Sequence, residues 1–160
     1  MLKNQYPIER MKLSAQRAFL KMGLRHSHEI NLSQKDGTTH IFTDGSFGQK
    51  TNMLGYAAII KTSTPDDEIV LYDRRKRVKS PQGRAISANI QNKAAEIYAV
   101  IEGLNALPEG SDVIVHTDFM EIEAYLNLNV LNDTTENRQF AEVWKELGDA
   151  QDRHLRARAV

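Results

Sequence analysis

Apolar and polar positions alternate with a period that changes along the chain, and these changes predict the order of its elements. Apolar residues first recur at every second position or in short runs between turns, as in strands. Helical spacing then alternates with further strand-like runs. The predicted elements are strands over 40–44, 54–61 and 69–78, a helix over 93–107, a strand over 112–118, helices over 119–128 and 138–151, and a strand over 154–160.

The strands fall into two groups. Three strands joined by short turns are typical of an antiparallel meander, whereas strands separated by helices pair in parallel. We therefore expect an α/β fold with a mixed five-stranded sheet, in which three antiparallel strands precede the parallel ones, and with flanking helices.

An amphipathic segment precedes this body. Between residues 7 and 22 apolar side chains recur at helical spacing, and the polar residues that follow indicate a linker. The predicted division is an N-terminal helix and linker over 1–38 and one domain over 39–160. The helical stripe consists of Ile8, Met11, Ala15, Ala18, Phe19 and Met22.

Composition narrows the possible functions. The chain has 160 residues, enough for one domain with a core, and 21 basic residues balance 21 acidic ones. The absence of cysteine excludes disulfides, thiolate zinc sites and cysteine nucleophiles. No apolar run is as long as the roughly 18 residues of a membrane span. These features predict a soluble cytoplasmic protein.

Three carboxylates stand near predicted element ends. Asp44 and Asp118 each follow a threonine at the end of a strand, and Glu96 lies in the first turn of the helix between them. If the two strands are parallel neighbours, both aspartates emerge at one edge of the sheet. Three carboxylates brought together repel one another, and Mg²⁺ or Mn²⁺ would offset that repulsion. The alternative for Asp44 is a polar turn residue before Gly45.

Three segments carry a resemblance to a known family. "IFTDGS", "NKAAEIYAVIEGLNAL" and "DVIVHTD", in this order and spacing, resemble type 1 ribonuclease H and the related domain of reverse transcriptases over residues 39–160. The resemblance implies an RNase H-like fold and a metal-dependent endoribonuclease. Such an enzyme hydrolyses the RNA strand of RNA–DNA hybrids and leaves a 3′-hydroxyl and a 5′-phosphate.

The resemblance also implies roles for individual residues. Asp44, Glu96 and Asp118 match three of four catalytic, metal-binding acids. Gly45 and Ser46 would present backbone groups to the RNA strand. Asn92 matches an asparagine that touches the minor groove of the hybrid, where 2′-hydroxyls distinguish RNA from DNA. An equally weighted alternative for Asn92 is a helix N-cap or a loop polar group.

The resemblance stops at the predicted last strand. The family continues with a histidine-containing loop and a helix that carries the fourth aspartate, and neither has a matching position here. Three explanations stay open: a short active enzyme with a substitute carboxylate, a nucleic-acid-binding or assembly module that does not cut, and a second copy that supplies the missing groups. The N-terminal helix or an uncovered sheet face would be the interface of such a homodimer.

Other features have two interpretations each. The basic run over 73–79 could contact phosphates, but a solvated edge strand is favoured slightly. His116 could adjust the site, but a hydrogen-bonded strand histidine is favoured. Trp144, with Phe140 and Leu147 at helical spacing, is predicted to lie in the core.

Overall fold

The structure is a computed structural model that describes residues 37–61 and 68–160. The predicted N-terminal helix and most of its linker lie outside the described residues. No helix among the residues described is both long enough and apolar enough to cross a membrane.

Five strands form one mixed sheet in the order β3-β2-β1-β4-β5. Strand β1 pairs antiparallel with β2, and β2 pairs antiparallel with β3. Strand β4 pairs in parallel with both β1 and β5. The predicted sheet, antiparallel and then parallel, is therefore confirmed. The strands are β1 (Thr39–Gly48), β2 (Met53–Lys61), β3 (Glu68–Lys76), β4 (Asp112–His116) and β5 (Arg156–Ala159).

Strand β1 is longer than its alternation indicates. The prediction ends it at Asp44, but the antiparallel ladder with β2 continues until Gly48 pairs with Met53. The parallel ladder with β4 stops earlier, at the pair Phe42 and His116. Asp44 therefore lies beyond the parallel pairing but inside the strand, and it is not a turn residue.

In the described part of the chain, a short 3₁₀ turn at Ala88–Ile90 and one helix connect β3 to β4, and three helices connect β4 to β5. The predicted single helix over 138–151 is wrong: two helices meet at Phe140, whose φ of −100° and ψ of 20° interrupt the helix. The first of them is capped by Thr134, whose side chain accepts the N–H of Asn137. The helices are α1 (Gln91–Asn105), α2 (Met120–Leu128), α3 (Thr135–Gln139) and α4 (Ala141–Asp152).

The two faces of the sheet differ in burial. On one face, strand side chains such as Ile41, Leu54 and Val115 are fully buried in the core formed with the helices. Phe140, Trp144 and Leu147 belong to the same core, as predicted. Side chains at the alternate positions, on what we call the open face, are only half-buried or exposed. No described helix covers that face.

Candidate active site

Parallel pairing places two of the acids at one level of the sheet. Phe42 pairs with His116 at the end of the β1–β4 ladder. Asp44 and Asp118 each lie two residues further along their chains, so both follow the carboxyl end of the parallel ladder. Both are exposed. The register thus explains how two distant sequence positions come to the same edge.

A glycine brings the third acid to that edge. A Cβ atom on Gly45 would lie 2.4 Å from the backbone carbon of Ala95, so β1 and α1 approach more closely than any other residue would permit. The N–H of Gly45 donates to Oε1 of Glu96 at 3.2 Å. Because α1 begins at Gln91, Glu96 lies in its second turn. Glycine at this position therefore sets the distance between Glu96 and the strand that carries Asp44.

The Glu96 carboxyl is in an unfavourable setting for a negative charge. Burial raises its pKa from 4.5 to about 7, the Gly45 N–H opposes that rise, and the charges of Asp44 and Asp118 add to it. Its Oε2 atom is buried and accepts no hydrogen bond. The groups that shift the Glu96 pKa include no cation, so the repulsion that Asp44 and Asp118 exert on Glu96 is not offset there by a described side chain.

The chemistry of these residues suits a hard divalent cation, although their side chains do not form a closed ligand set. Carboxylate oxygens are the ligands that Mg²⁺ and Mn²⁺ prefer, and Oε2 of Glu96 is a buried oxygen without a partner. Within residues 37–61 and 68–160, however, no group of three or more His, Cys, Asp or Glu side chains is positioned to hold a metal ion. The electrostatic coupling of the acids is therefore present without a complete coordination sphere.

Asn92 is exposed beside these acids. Its Oδ1 accepts the N–H of Phe47 at 2.6 Å and ties the start of α1 to β1. The N-cap of α1 is Ile90, so the N-cap alternative for Asn92 is wrong. With Oδ1 occupied by the backbone, the amide nitrogen is the group that Asn92 presents outward. Ser46, next to Phe47, is also exposed.

A buried lysine close to the acids was missed by the sequence interpretation. Lys93 is 8% exposed, and its Nζ lies 2.8 Å from Glu121 Oε1 and 3.1 Å from Glu136 Oε1. It also donates to Oδ1 of Asn137 at 3.3 Å, an atom that accepts the indole N–H of Trp144 as well. This cluster joins α1, α2, α3 and α4. A lysine in the first turn of a helix, where the helix dipole disfavours it, was the available signal.

His116 is a hydrogen-bonded histidine on strand β4, which is the interpretation that the sequence favours. Its Nε2 lies 2.8 Å from Nδ1 of His40, and its ring stacks on Phe42 with centroids 4.2 Å apart. Burial and then the charge of His40 lower the pKa of His116.

The basic run over 73–79 is only partly the solvated edge strand that the sequence favours. β3 is an edge strand. Yet the guanidinium of Arg75 lies 3.8 Å from the ring centroid of Tyr98 and donates to the Tyr56 hydroxyl at 3.1 Å. Arg77 donates to the carbonyl of Ile86 and to Asn52. These two cations therefore hold aromatic and backbone groups of their own chain.

Comparisons with known proteins find no relative by sequence. No protein-family profile matches the chain, and no curated protein sequence matches it either.

Comparison with solved structures does find similar folds. The N-terminal RNase H domain of Rv2228c from Mycobacterium tuberculosis, solved as a fusion with maltose binding protein, aligns with a TM-score of 0.54 at 15% identity, over 77% of this chain and 81% of that one. RNase H1 from the halophilic archaeon Halobacterium salinarum NRC-1 aligns with a TM-score of 0.49 at 18% identity, over 78% and 86%. The first likeness shows that the chain has an RNase H-like fold.

Proposed function

We propose that this RNase H-like domain is a metal-dependent endoribonuclease that hydrolyses the RNA strand of RNA–DNA hybrids. The observation that carries the proposal is the uncompensated coupling of the three acids. Burial raises the pKa of Glu96 to about 7, the charges of Asp44 and Asp118 add to that rise, and one Glu96 oxygen lacks any hydrogen bond. A fold that keeps such repulsion at the end of a parallel ladder is best explained by a cation that binds there in use.

The three acids would bind the metal ion together in this proposal. Asp44, Glu96 and Asp118 would hold Mg²⁺ or Mn²⁺, which would supply positive charge for a phosphodiester that is cleaved to a 3′-hydroxyl and a 5′-phosphate. The Gly45 N–H holds one Glu96 oxygen in place and leaves the other open. The exposed aspartates are reachable from solvent, where a nucleic-acid backbone would approach.

The neighbouring groups would recognise the RNA strand. Asn92 is fixed through Oδ1 by the Phe47 N–H, so its amide nitrogen can donate to a 2′-hydroxyl or to a base in the minor groove. Gly45 and Ser46 would contact the same strand through backbone groups. Asn92 bonds to Phe47, which follows Asp44, Gly45 and Ser46 on β1. Recognition and cleavage would therefore share one surface.

A second candidate is a nucleic-acid-binding or assembly module with this fold that does not cut. The absence of a closed three-residue ligand set among the described residues favours it. The two candidates differ in whether the hybrid is cleaved, and not in whether it is bound.

Cleavage of an end-labelled RNA–DNA hybrid by the 160-residue chain, with Mg²⁺ or Mn²⁺, tests the proposal. Asp44→Asn is expected to lower the rate about a hundredfold or more, since it removes one of the ligands. Asp149→Asn, an exposed acid on α4 with a side chain 69% exposed, is the matched control and should leave the rate unchanged. If the chain binds the hybrid but does not cleave it with either metal ion, the result would support the second candidate and overturn the first.

A further inference from the structure

The open face of the sheet carries an apolar patch that no described helix covers; the ring of His116 stacks on Phe42 within it, and His40 pairs with Ile114 at its edge. Phe42 and Tyr72 are each 39% exposed. Phe42, Ile59 and Val70 form one row across β1, β2 and β3, because Phe42 pairs with Ile59 and Ile59 pairs with Val70. Tyr72 and Ile114 adjoin this row. We call these five residues, Phe42, Ile59, Val70, Tyr72 and Ile114, the open-face patch.

A contiguous apolar surface of this kind is unfavourable in water and marks a place of contact. Its central side chains, Ile59 and Val70, are aliphatic and half-buried. Three of the five side chains, Ile59, Val70 and Ile114, are aliphatic and suit an apolar helix, whereas the rings of Phe42 and Tyr72 could also stack on bases, so the test below includes RNA. The surface therefore calls for a partner with an apolar stripe.

The chain itself provides such a stripe. On a helix, six apolar residues of this range, Ile8, Met11, Ala15, Ala18, Phe19 and Met22, would fall within about 100° of one another, whereas Leu13 and Leu20 would fall on the other side with arginine and lysine. A helix over that range would be about 24 Å long. Four spacings between neighbouring strands measure about 19 Å, so the helix matches the width of the sheet.

The connection to the sheet is long enough for this stripe to reach the patch. The segment outside the described residues ends at residue 36, and β1, the central strand, begins at Thr39. A linker over 23–38 could extend up to about 50 Å, so it does not limit the reach. A tether of this kind gives an effective concentration near millimolar, which favours the chain's own segment over a second copy at micromolar concentration.

We infer that residues 7–22 dock as an amphipathic helix on the open-face patch of their own chain and complete the second layer of the fold. Phe19 and Ile8 lie on the docking stripe, and Phe42 and Ile59 lie beneath it. This inference does not rest on the proposed nuclease activity, since it is argued from the apolar residues of the face opposite α1; Asp44, two residues beyond Phe42, lies at the end of the same face.

The absence of cysteine from the chain permits a direct test. Ile59→Cys introduces one thiol at the centre of the patch, and its alkylation rate is measured in the full chain and in the Ile8→Asp/Phe19→Asp background. We expect at least about tenfold faster alkylation when the stripe is disrupted, because undocking exposes the thiol. Ser14→Asp/Gln16→Asp, which adds the same charges off the stripe, should leave the rate unchanged.

Two further measurements separate the possible occupants. The rate is followed at protein concentrations from about 1 to 100 µM, and again with added single-stranded RNA. If the thiol is protected from alkylation to the same extent at every protein concentration and with or without RNA, the result supports the inference. Protection that grows with protein concentration would identify a second copy instead, and protection that appears only with RNA would identify nucleic acid. Equal rates in all backgrounds would overturn docking altogether.

A disulfide pair gives a result even if the aspartate variants fail to fold. Phe19→Cys combined with Phe42→Cys is expected to form an intramolecular disulfide at least about ten times faster than Arg17→Cys combined with Phe42→Cys, since on the docked helix residue 17 would point away from the sheet. Equal rates for the two pairs would contradict the docked orientation. A thiol introduced by Lys145→Cys, whose side chain is 79% exposed on α4, serves as the reactivity reference.

Discussion

The two ends of strand β4 hold acidic side chains in opposite electrostatic settings. At its beginning, Asp112 accepts hydrogen bonds from Arg156 and Arg158 at 3.0 and 2.8 Å, and these bonds lower its pKa to about 2. Beyond its end, burial raises the pKa of Glu96 to about 7, and Asp44 and Asp118 add to that rise.

The difference lies in the neighbours and not in the type of residue. The strand β5 supplies two arginines to the first end, so Asp112 is balanced by its own chain. At the other end Lys93, a buried cation three residues before Glu96 on α1, is already paired with Glu121 and Glu136. An acid that is balanced internally has a structural role, whereas acids that are not balanced are candidates for binding a cation.

The largest effect is expected from separating the acids. Gly45→Ala places a methyl group 2.4 Å from the backbone of Ala95, which forces β1 and α1 apart. We expect a loss of about 3 kcal/mol in the free energy of unfolding, measured by denaturant titration of Trp144 fluorescence. Gly55→Ala is the matched control, because its nearest atom is the Tyr72 hydroxyl at 3.8 Å. Equal stability of the two variants would contradict the close approach.

Removing the buried cation near the acids should have the next largest effect. Lys93→Met keeps the stem but leaves Glu121 and Glu136 without their cation, while Asn137 still donates to Glu121. We expect a loss of about 2 to 3 kcal/mol, less than for a fully buried pair because both glutamates are partly exposed. Lys145→Met breaks the exposed pair with Asp149 and should cost about 0.5 kcal/mol or less. If the two variants unfold alike, Lys93 does not join the helices as described.

Relieving the repulsion should stabilise the protein without metal. The folded pKa of Glu96 lies above its ordinary 4.5, so stability is lost as the pH rises from 4.5 through about 7. Glu96→Gln removes this loss, and at pH 8 we expect a gain of about 1 kcal/mol after allowance for solvent screening. Mg²⁺ should raise the melting temperature of the parent chain more than that of the variant. A destabilised variant would mean that Glu96 is compensated in solution.

The smallest effect is expected at the balanced end. The folded pKa of Asp112 lies below its ordinary 3.8, so its contribution is complete above pH 3.8 and is lost as the pH falls to about 2. Asp112→Asn should therefore flatten the fall of melting temperature over this window. Asp133→Asn, with a side chain 81% exposed, should keep the slope of the parent chain. An unchanged slope in the Asp112 variant would show that the arginine bonds do not persist in solution.

Local periodicity determined most of the fold. Alternation and helical spacing are properties of neighbouring residues, so the five strands, helices α1 and α2, and the core position of Trp144 follow from sequence. The predicted element ends were wrong where contacts with residues distant in the sequence determine the secondary structure. β1 extends to Gly48 because β2 pairs with it, and the predicted helix over 138–151 divides at Phe140, a buried core residue with φ of −100° and ψ of 20°.

The candidate site divides in the same way. The three acids could be named from sequence because each follows a local motif, and Thr39–Gly48 and Asp112–His116 could be expected to align as parallel strands. Only the tertiary structure decided the close approach at Gly45, the bond between Phe47 and Asn92, and the pairing of Lys93 with Glu121. These contacts join residues far apart in the chain, and their geometry depends on where the packed sheet and helices bring the backbone.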